Sequence, residues 1–368
     1  MVKNYCSPNN KNNSHTCFSN DSLVKIATEY NRQNGKKIKI PKTLNESSRK
    51  TLWNSINSSM KKYTKCNDDF CLLDTPIVKN IPDKSVLDEF RPAMPLEWKS
   101  NPTAWLSTID INKVMKQYEK NSDFVFLGAV PIDFDYDFGI GTCVSNELCN
   151  LDVKNMVKNN KYRLGVVFNL DPHYMSGSHW TALFSDFRTG GIYYFDSYGN
   201  EPPREVQVLM QRIKTQGNML IKNGIIDIDR IDNKYIQFSE YDIISKKRIV
   251  VDNPEDFHKD TLIVFGNIKK GNKIIFDKST FNTITNISDN VLTLKNNVNC
   301  KNCKYIFMKS FRTFYNNNRF QFKNSECGVY SMHFIEEFLN GKDFEEIVSN
   351  IIHDDKINKK RKIFYRPS

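Results

Sequence analysis

No stretch of this chain comes near the roughly 20 consecutive apolar residues that a bilayer-crossing helix requires, and no apolar segment near Met1 resembles a signal peptide. The reading is of an intracellular protein without membrane contact. Self-similarity at solenoid spacing is absent, which excludes a stacked-repeat architecture. The cysteines are an odd number, scattered as Cys6, Cys17, Cys66, Cys71, Cys143, Cys149, Cys300, Cys303 and Cys327, and they fit a reducing compartment better than a disulfide framework. Nor do they complete a metal site. "CKNC" at Cys300 and Cys303 suggests half of a zinc site, with Cys66 and Cys71, or Cys6, His15 and Cys17, as another half, but the spacing is poor and no local four-ligand set is visible. No metal or other cofactor is expected.

What is present is length and positive charge. A chain of 368 residues can bury a large core, as one sizeable domain with an accessory segment or as two domains. A formal charge of +11 allows contact with nucleic acid, an acidic protein or a membrane surface and does not choose among them. The lysine runs "KKIKI", "SKKR" and "KINKKRK" read first as solvated faces and second as nucleic-acid contacts.

The polar first 20 residues are expected to be partly disordered. Leu23, Ile26, Ala27 and Tyr30 then follow helical spacing behind an Asn20 or Asp21 cap. A second helix is expected after Pro41, with Thr43 and Glu46 as a capping box and Leu52, Ile56, Met60 and Tyr63 on one face. Residues 1–88 thus form a helical arm, and 89–368 the core. In the core, "AWLSTIDINKVMKQYEK" predicts a helix with Trp105, Ile109, Val114 and Tyr118 on its apolar stripe. The runs "DFVFLGAVPIDF", "YRLGVVFNL", "HWTALFSDF" and "GIYYFDSYG" predict buried strands, and "PREVQVLMQRIKTQG" a helix. Short β-like runs broken by Asn, Asp, Gly and Lys turns make 218–305 a β-rich insertion within the core. The fold class is α+β, a mixed sheet flanked by helices.

"QFKNSECGVYSMHFIEEF" places Cys327 where an amphipathic helix begins. Unpaired backbone N–H groups and the positive dipole end favour a thiolate there. A thiol nucleophile needs a base and a group to orient that base. His179 begins one strand run and Asp196 ends the next, with the turn "DFRTGG" between them. A hairpin centred between Phe187 and Arg188 would set the two directly opposite, while Gly190 and Gly191 suggest a slightly later centre. An oxyanion needs donors: the N–H of Cys327 is one, and Gln321 is the candidate for the second, with Asn324 a weaker competitor. His173 and His333 are alternative bases, both read as structural.

These residues resemble the cysteine proteases of the adenain and SUMO-protease type, which share the order His, Asp or Asn, Gln, Cys. The resemblance rests on "SHW", "YYFDS", the Gln of "QFKNSECG", the following "CGVY", and "WLSTIDI" in the place of the family's "WLND". It covers roughly 98–200 and 310–340, and the flanking detail is most like the virion-maturation proteases of large nucleocytoplasmic DNA viruses. It implies a papain-like core, with Cys327 as nucleophile, His179 as general base and acid, Asp196 as orienting group and Gln321 as oxyanion donor. Trp105 and Trp180 gain a substrate-binding role, sandwiching a glycine-glycine stretch between two rings. The implied function is an endopeptidase that cuts after small residues, Gly-Gly-X or similar, in viral structural polyproteins during virion maturation. It would act in host cytoplasm and in the virion. Alternatives are an isopeptidase removing ubiquitin-like modifiers, an acetyltransferase on the same scaffold, and a basic nucleic-acid-binding scaffold with an inactive protease fold.

Overall fold

The computed structural model describes residues 5–8, 10, 15–35, 37–61, 64, 66, 68–120, 122–139, 141–228, 235–255, 257–269, 273–300 and 302–367. Its α-helices are α1 Asn20–Asn34, α2 Glu46–Lys61, α3 Pro76–Lys79, α4 Thr108–Met115, α5 Asn146–Cys149, α6 Val153–Lys158, α7 Arg204–Lys222, α8 Cys327–Leu339, α9 Phe344–Ser349, α10 Asp354–Asn358 and α11 Arg361–Phe364. The strands β1 Phe124–Pro131, β2 Arg163–Asn169, β3 Trp180–Asp186 and β4 Gly191–Phe195 precede α7, and β13 Arg312–Tyr315 follows an eight-stranded region. The chain divides into two compact units, one of residues 1–122, 320–333 and 351–368, the other of 123–319 and 334–350.

In the first unit, α1 starts behind Ser19, not Asn20 or Asp21, because the Ser19 hydroxyl accepts the Ser22 N–H from an extended cap residue. The box expected at Thr43 and Glu46 is made instead by Asn45 and Ser48. Ser48 N–H donates to Asn45 Oδ1 and Asn45 N–H to Ser48 Oγ, both at 2.9 Å. The predicted apolar stripes are otherwise as read, since Leu23, Ile26, Ala27 and Tyr30 pack with Leu52, Ile56 and Met60 in one core that also holds Phe18, Trp53 and Phe90. Each large side chain buried there contributes about 1.5–3 kcal/mol. Tyr63 lies outside the described residues. In α4 the stripe is phased differently from the expectation: Ser107 and Asp110 form a capping box, the helix starts at Thr108, and Ile111, Val114 and Met115 are buried. Trp105 falls before the cap and Ile109 points outward, both exposed.

The second unit is built on a five-stranded mixed sheet in the order β1-β2-β3-β4-β13. β1 runs parallel to β2 and β13 parallel to β4, while β2, β3 and β4 are antiparallel neighbours. Its core takes Leu164, Val166 and Phe168 from β2, Leu183 from β3, Ile192 and Tyr194 from β4, and Val206, Leu209, Met210 and Ile213 from α7. Gly217 lets α7 approach closely, because a Cβ there would lie 2.4 Å from the Phe311 ring. The strands β5 Tyr235–Gln237, β6 Ile243–Ser245, β7 Arg248–Val250, β8 Leu262–Lys269, β9 Lys273–Phe276, β10 Asn282–Ser288, β11 Val291–Leu294 and β12 Tyr305–Met308 form a second sheet around its own core of Ile249, Phe265, Ile284, Leu292 and Ile306. The architecture is α+β.

Two expectations are corrected. The helix α8 is not amphipathic: every residue from Cys327 to Phe338 is buried, as befits a helix apolar over most of its circumference. The cysteines are not unpaired: Cys6–Cys17, Cys66–Cys71, Cys143–Cys149 and Cys300–Cys303 are disulfides, each between near neighbours in sequence, with Cα–Cα distances of 5.3 to 6.3 Å. Cys327 is the free one. Among the described residues no helix is long and apolar enough to cross a membrane.

Candidate active site

The β3–β4 hairpin turns through residues 187–190. Gly190 N–H donates to Asp186 O, Arg188 N–H to Asp186 Oδ1, and Gly190 takes φ +70°, a conformation that suits glycine. The pairs Ala182↔Phe195, Leu183↔Tyr194 and Asp186↔Gly191 set the later of the two centres that the sequence allowed. Extending this register puts Tyr198, not Asp196, across from His179. Accordingly the Tyr198 ring stacks on the imidazole, with centroids 4.6 Å apart and planes 18° from parallel. The chain bends after Phe195, and Asp196 Oδ1 still reaches His179 Nε2 at 2.6 Å.

Both groups are buried, His179 at 8% exposure and Asp196 at 1%. Burial alone would raise the Asp196 pKa, but hydrogen bonds from His179, from Tyr198 N–H at 2.9 Å and from Asn200 Nδ2 at 2.8 Å outweigh it and hold the carboxyl below its ordinary range. The Asn316 side chain, just beyond β13, pairs with the Asp196 backbone: Asp196 N–H donates to Asn316 Oδ1 at 2.9 Å and Asn316 Nδ2 to Asp196 O at 2.8 Å. A charged aspartate fixed this way orients the imidazole through Nε2.

Cys327, Gln321 and Trp105 belong to the first unit, His179, Asp196 and Trp180 to the second. Cys327 is the first residue of α8 and is 2% exposed. Its backbone N–H is among those a helix start leaves without a helical partner, and the dipole end there favours negative charge. Gln321 is fully buried, and its Nε2 donates to Lys323 O at 2.7 Å.

A model of the family described as Vaccinia virus I7 processing peptidase matches residues 57–238, and one of the Ulp1 protease family, C-terminal catalytic domain, matches 249–367. A thiol protease of Acanthamoeba polyphaga mimivirus is 29% identical over 381 residues, 99% of this chain and 93% of the relative. The chain is a cysteine-type peptidase, similar to the viral processing peptidases and to the SUMO proteases. A cysteine protease of African swine fever virus is 28% identical over 169 residues, which is 42% of the peptidase's chain and 62% of that relative. The crystal structure of the African swine fever virus protease shares the peptidase's fold, with a TM-score of 0.51 at 16% identity over 100% of this chain and 98% of that one.

Around the Gln321 turn the peptidase holds residues that sequence reasoning missed. Asp354 Oδ2 accepts the N–H groups of Phe322 and Lys323 at 2.9 and 3.0 Å, and Tyr330 Oη donates toward Ile352 O at 2.7 Å beside Asp354. Burial, then the Asp354 charge, pushes the Tyr330 hydroxyl well above its ordinary pKa, so it stays a donor. Asn324 is exposed. Of the two tryptophans, Trp105 is 46% exposed and Trp180 4%. Tyr198 and Asn200 sit in the "FDSYGN" run and were within reach of inspection, but nothing local links Asn316 or Asp354 to the residues they hold.

Proposed function

We propose that Cys327 is the nucleophile of an endopeptidase in which His179 is general base and acid, Asp196 orients the imidazole and Gln321 is an oxyanion donor. The observation that carries this reading is the buried contact of His179 Nε2 with Asp196 Oδ1 at 2.6 Å. It is supported by Cys327 being the free thiol beside eight disulfide-bonded cysteines.

His179 Nδ1 takes the thiol proton, and the sulfur attacks the carbonyl carbon of the scissile peptide. The negative oxygen is met by the Cys327 N–H and by Gln321 Nε2. His179 then protonates the leaving amine, and the acyl-enzyme is hydrolysed by a water that His179 deprotonates. Trp105 and Trp180 hold a glycine-glycine stretch ahead of the cut, where any side chain larger than hydrogen would clash. The substrates are structural polyproteins cut during virion maturation in host cytoplasm and virion. They are recognised through the arm (1–88) and the β-rich insertion (218–305), with nucleic acid met by the lysine runs.

The test is a Gly-Gly-X junction-peptide library run beside a folded ubiquitin-like modifier carrying a C-terminal extension, with wild type and Cys327→Ala. Cleavage of extended junctions after glycine, lost in the variant, is the expected result. Preference for the folded modifier would favour the isopeptidase, a reading that the Ulp1-type match over 249–367 keeps in view. Activity that survives Cys327→Ala would overturn both.

A further inference from the structure

Arg361, the first residue of α11, is a long cation with only 3% exposure, and the roles assigned so far leave it without a task. Its Nη1 donates to Ala104 O at 2.8 Å and its Nη2 to Ser325 O at 3.0 Å. The guanidinium lies over the Trp98 indole, 4.4 Å from the ring centre, and Trp98 meets Tyr365 edge-on at 5.0 Å. Ala104 directly precedes Trp105, and Ser325 stands two residues before Cys327. Ser325 is held from its other side as well, because its N–H and its hydroxyl both donate to the Glu326 carboxylate, at 3.1 and 2.9 Å. Glu326 in turn lends its carbonyl to Tyr330 N–H at the start of α8.

We infer that Arg361 is a positioning residue of the peptidase, a single planar fork that ties the nucleophile turn before Cys327 to the Trp105 segment. The inference rests on Cys327 being the nucleophile. Geometry argues for arginine here. Two carbonyls on segments more than 200 residues apart in sequence are met by two nitrogens of one rigid plane, which a lysine ammonium on a flexible stem cannot reproduce. The indole beneath replaces the water that burial removes. Burial pulls the guanidinium pKa down, and its electrostatic neighbours, Glu326 first, then Tyr365, Cys327 and Asp110, act against that fall. Arg361 therefore also sets a fixed positive charge within electrostatic reach of the nucleophile.

The experiment compares Arg361→Gln, Arg361→Lys and the neighbouring exposed Lys362→Gln. Three readouts are taken: iodoacetamide alkylation of Cys327 followed by peptide mapping, kcat and KM on a fluorogenic Gly-Gly peptide, and the melting temperature. Arg361→Gln is expected to slow Cys327 alkylation about tenfold and to lower kcat/KM about 100-fold, the scale of losing two charge-assisted hydrogen bonds. Arg361→Lys is expected to recover most of the alkylation rate but not KM, because one ammonium replaces one of the two bonds. Lys362→Gln stays within about twofold throughout, as a surface change should.

A lower melting temperature with both rates unchanged in Arg361→Gln would reduce Arg361 to a structural residue and overturn the proposal. Should Arg361→Gln fail to fold, Arg361→Lys decides alone, and unchanged kcat and KM overturn it. Slow alkylation of Cys327 in the wild type would sink the nucleophile reading itself. Fast wild-type alkylation that Arg361→Gln leaves untouched sinks only the tie.

Discussion

Two histidines six positions apart each hold an aspartate at 2.6 Å, His173 with Asp133 and His179 with Asp196. By distance the pairs are the same, and their surroundings separate them. The His173 and Asp133 side chains keep 32% and 22% of their exposure, against 10% and 1% for His179 and Asp196. Asp133 also accepts the backbone N–H of His173 itself, at 2.8 Å, so this pair closes a surface loop among the rings of Tyr136, Phe138 and Tyr174. Asp196 is instead fed by Tyr198 N–H and Asn200 Nδ2 and braced along its backbone by Asn316. The comparison teaches that a His–Asp distance measures contact, whereas catalytic capacity depends on whether the aspartate stays charged and the ring stays fixed in a site shielded from water.

Alanine in place of each histidine should split the pairs most widely. His179→Ala is expected to lose about a thousandfold or more in kcat/KM, the scale of removing a general base that also serves as acid, while His173→Ala stays within about twofold. Equal losses would dissolve the distinction. Next come the aspartates, where Asp196→Ala should cost about a hundredfold or more in turnover and Asp133→Ala little, both read on the same peptide.

A smaller effect is expected at Asn200. Asn200→Ala leaves a buried carboxylate short of one donor, a loss of about 1–3 kcal/mol, visible as an earlier urea midpoint with an activity drop of about tenfold. An unmoved midpoint would mean that the other donors suffice.

The last prediction concerns pH. Because the folded Asp196 pKa lies below its unfolded value, the carboxylate adds stability that is fully present above the unfolded pKa. That stability is lost as pH falls through the folded one. Asp196→Asn should therefore flatten the acid limb of the stability curve, measured by melting temperature between neutral and acid pH. A limb that stays steep in the Asp196→Asn variant would trace acid loss to other groups.

Much of this was legible before any coordinates. Strands β1 to β4 were visible as short apolar runs, α7 as a period of 3.6, and Cys327 as the opening residue of its helix, because these depend on neighbours in sequence. The candidate residues His179 and Asp196 were reachable too, since a hairpin brings together the ends of two adjacent runs. Local rules failed where two local choices compete closely. Ser19 displaced Asn20 as a cap, Asn45 and Ser48 displaced Thr43 and Glu46, and Ser107 moved the α4 stripe away from Trp105 and Ile109. The cysteine count misled for a different reason: an odd total hides local pairs when one thiol is kept apart.

By itself the sequence determined the element types, the order of the candidate residues and the identity of the thiol worth testing, all of which follow from periodicity, caps and turn chemistry within a few residues. Only the tertiary structure decided the hairpin register that stacks Tyr198 on His179, and the donors that keep Asp196 charged. It also decided that His179, not His173, is buried, and the reach of Arg361 to both Ala104 and Ser325. Those contacts join positions up to hundreds of residues apart, and their energies arise from burial and desolvation, quantities that exist only once the chain has closed around them.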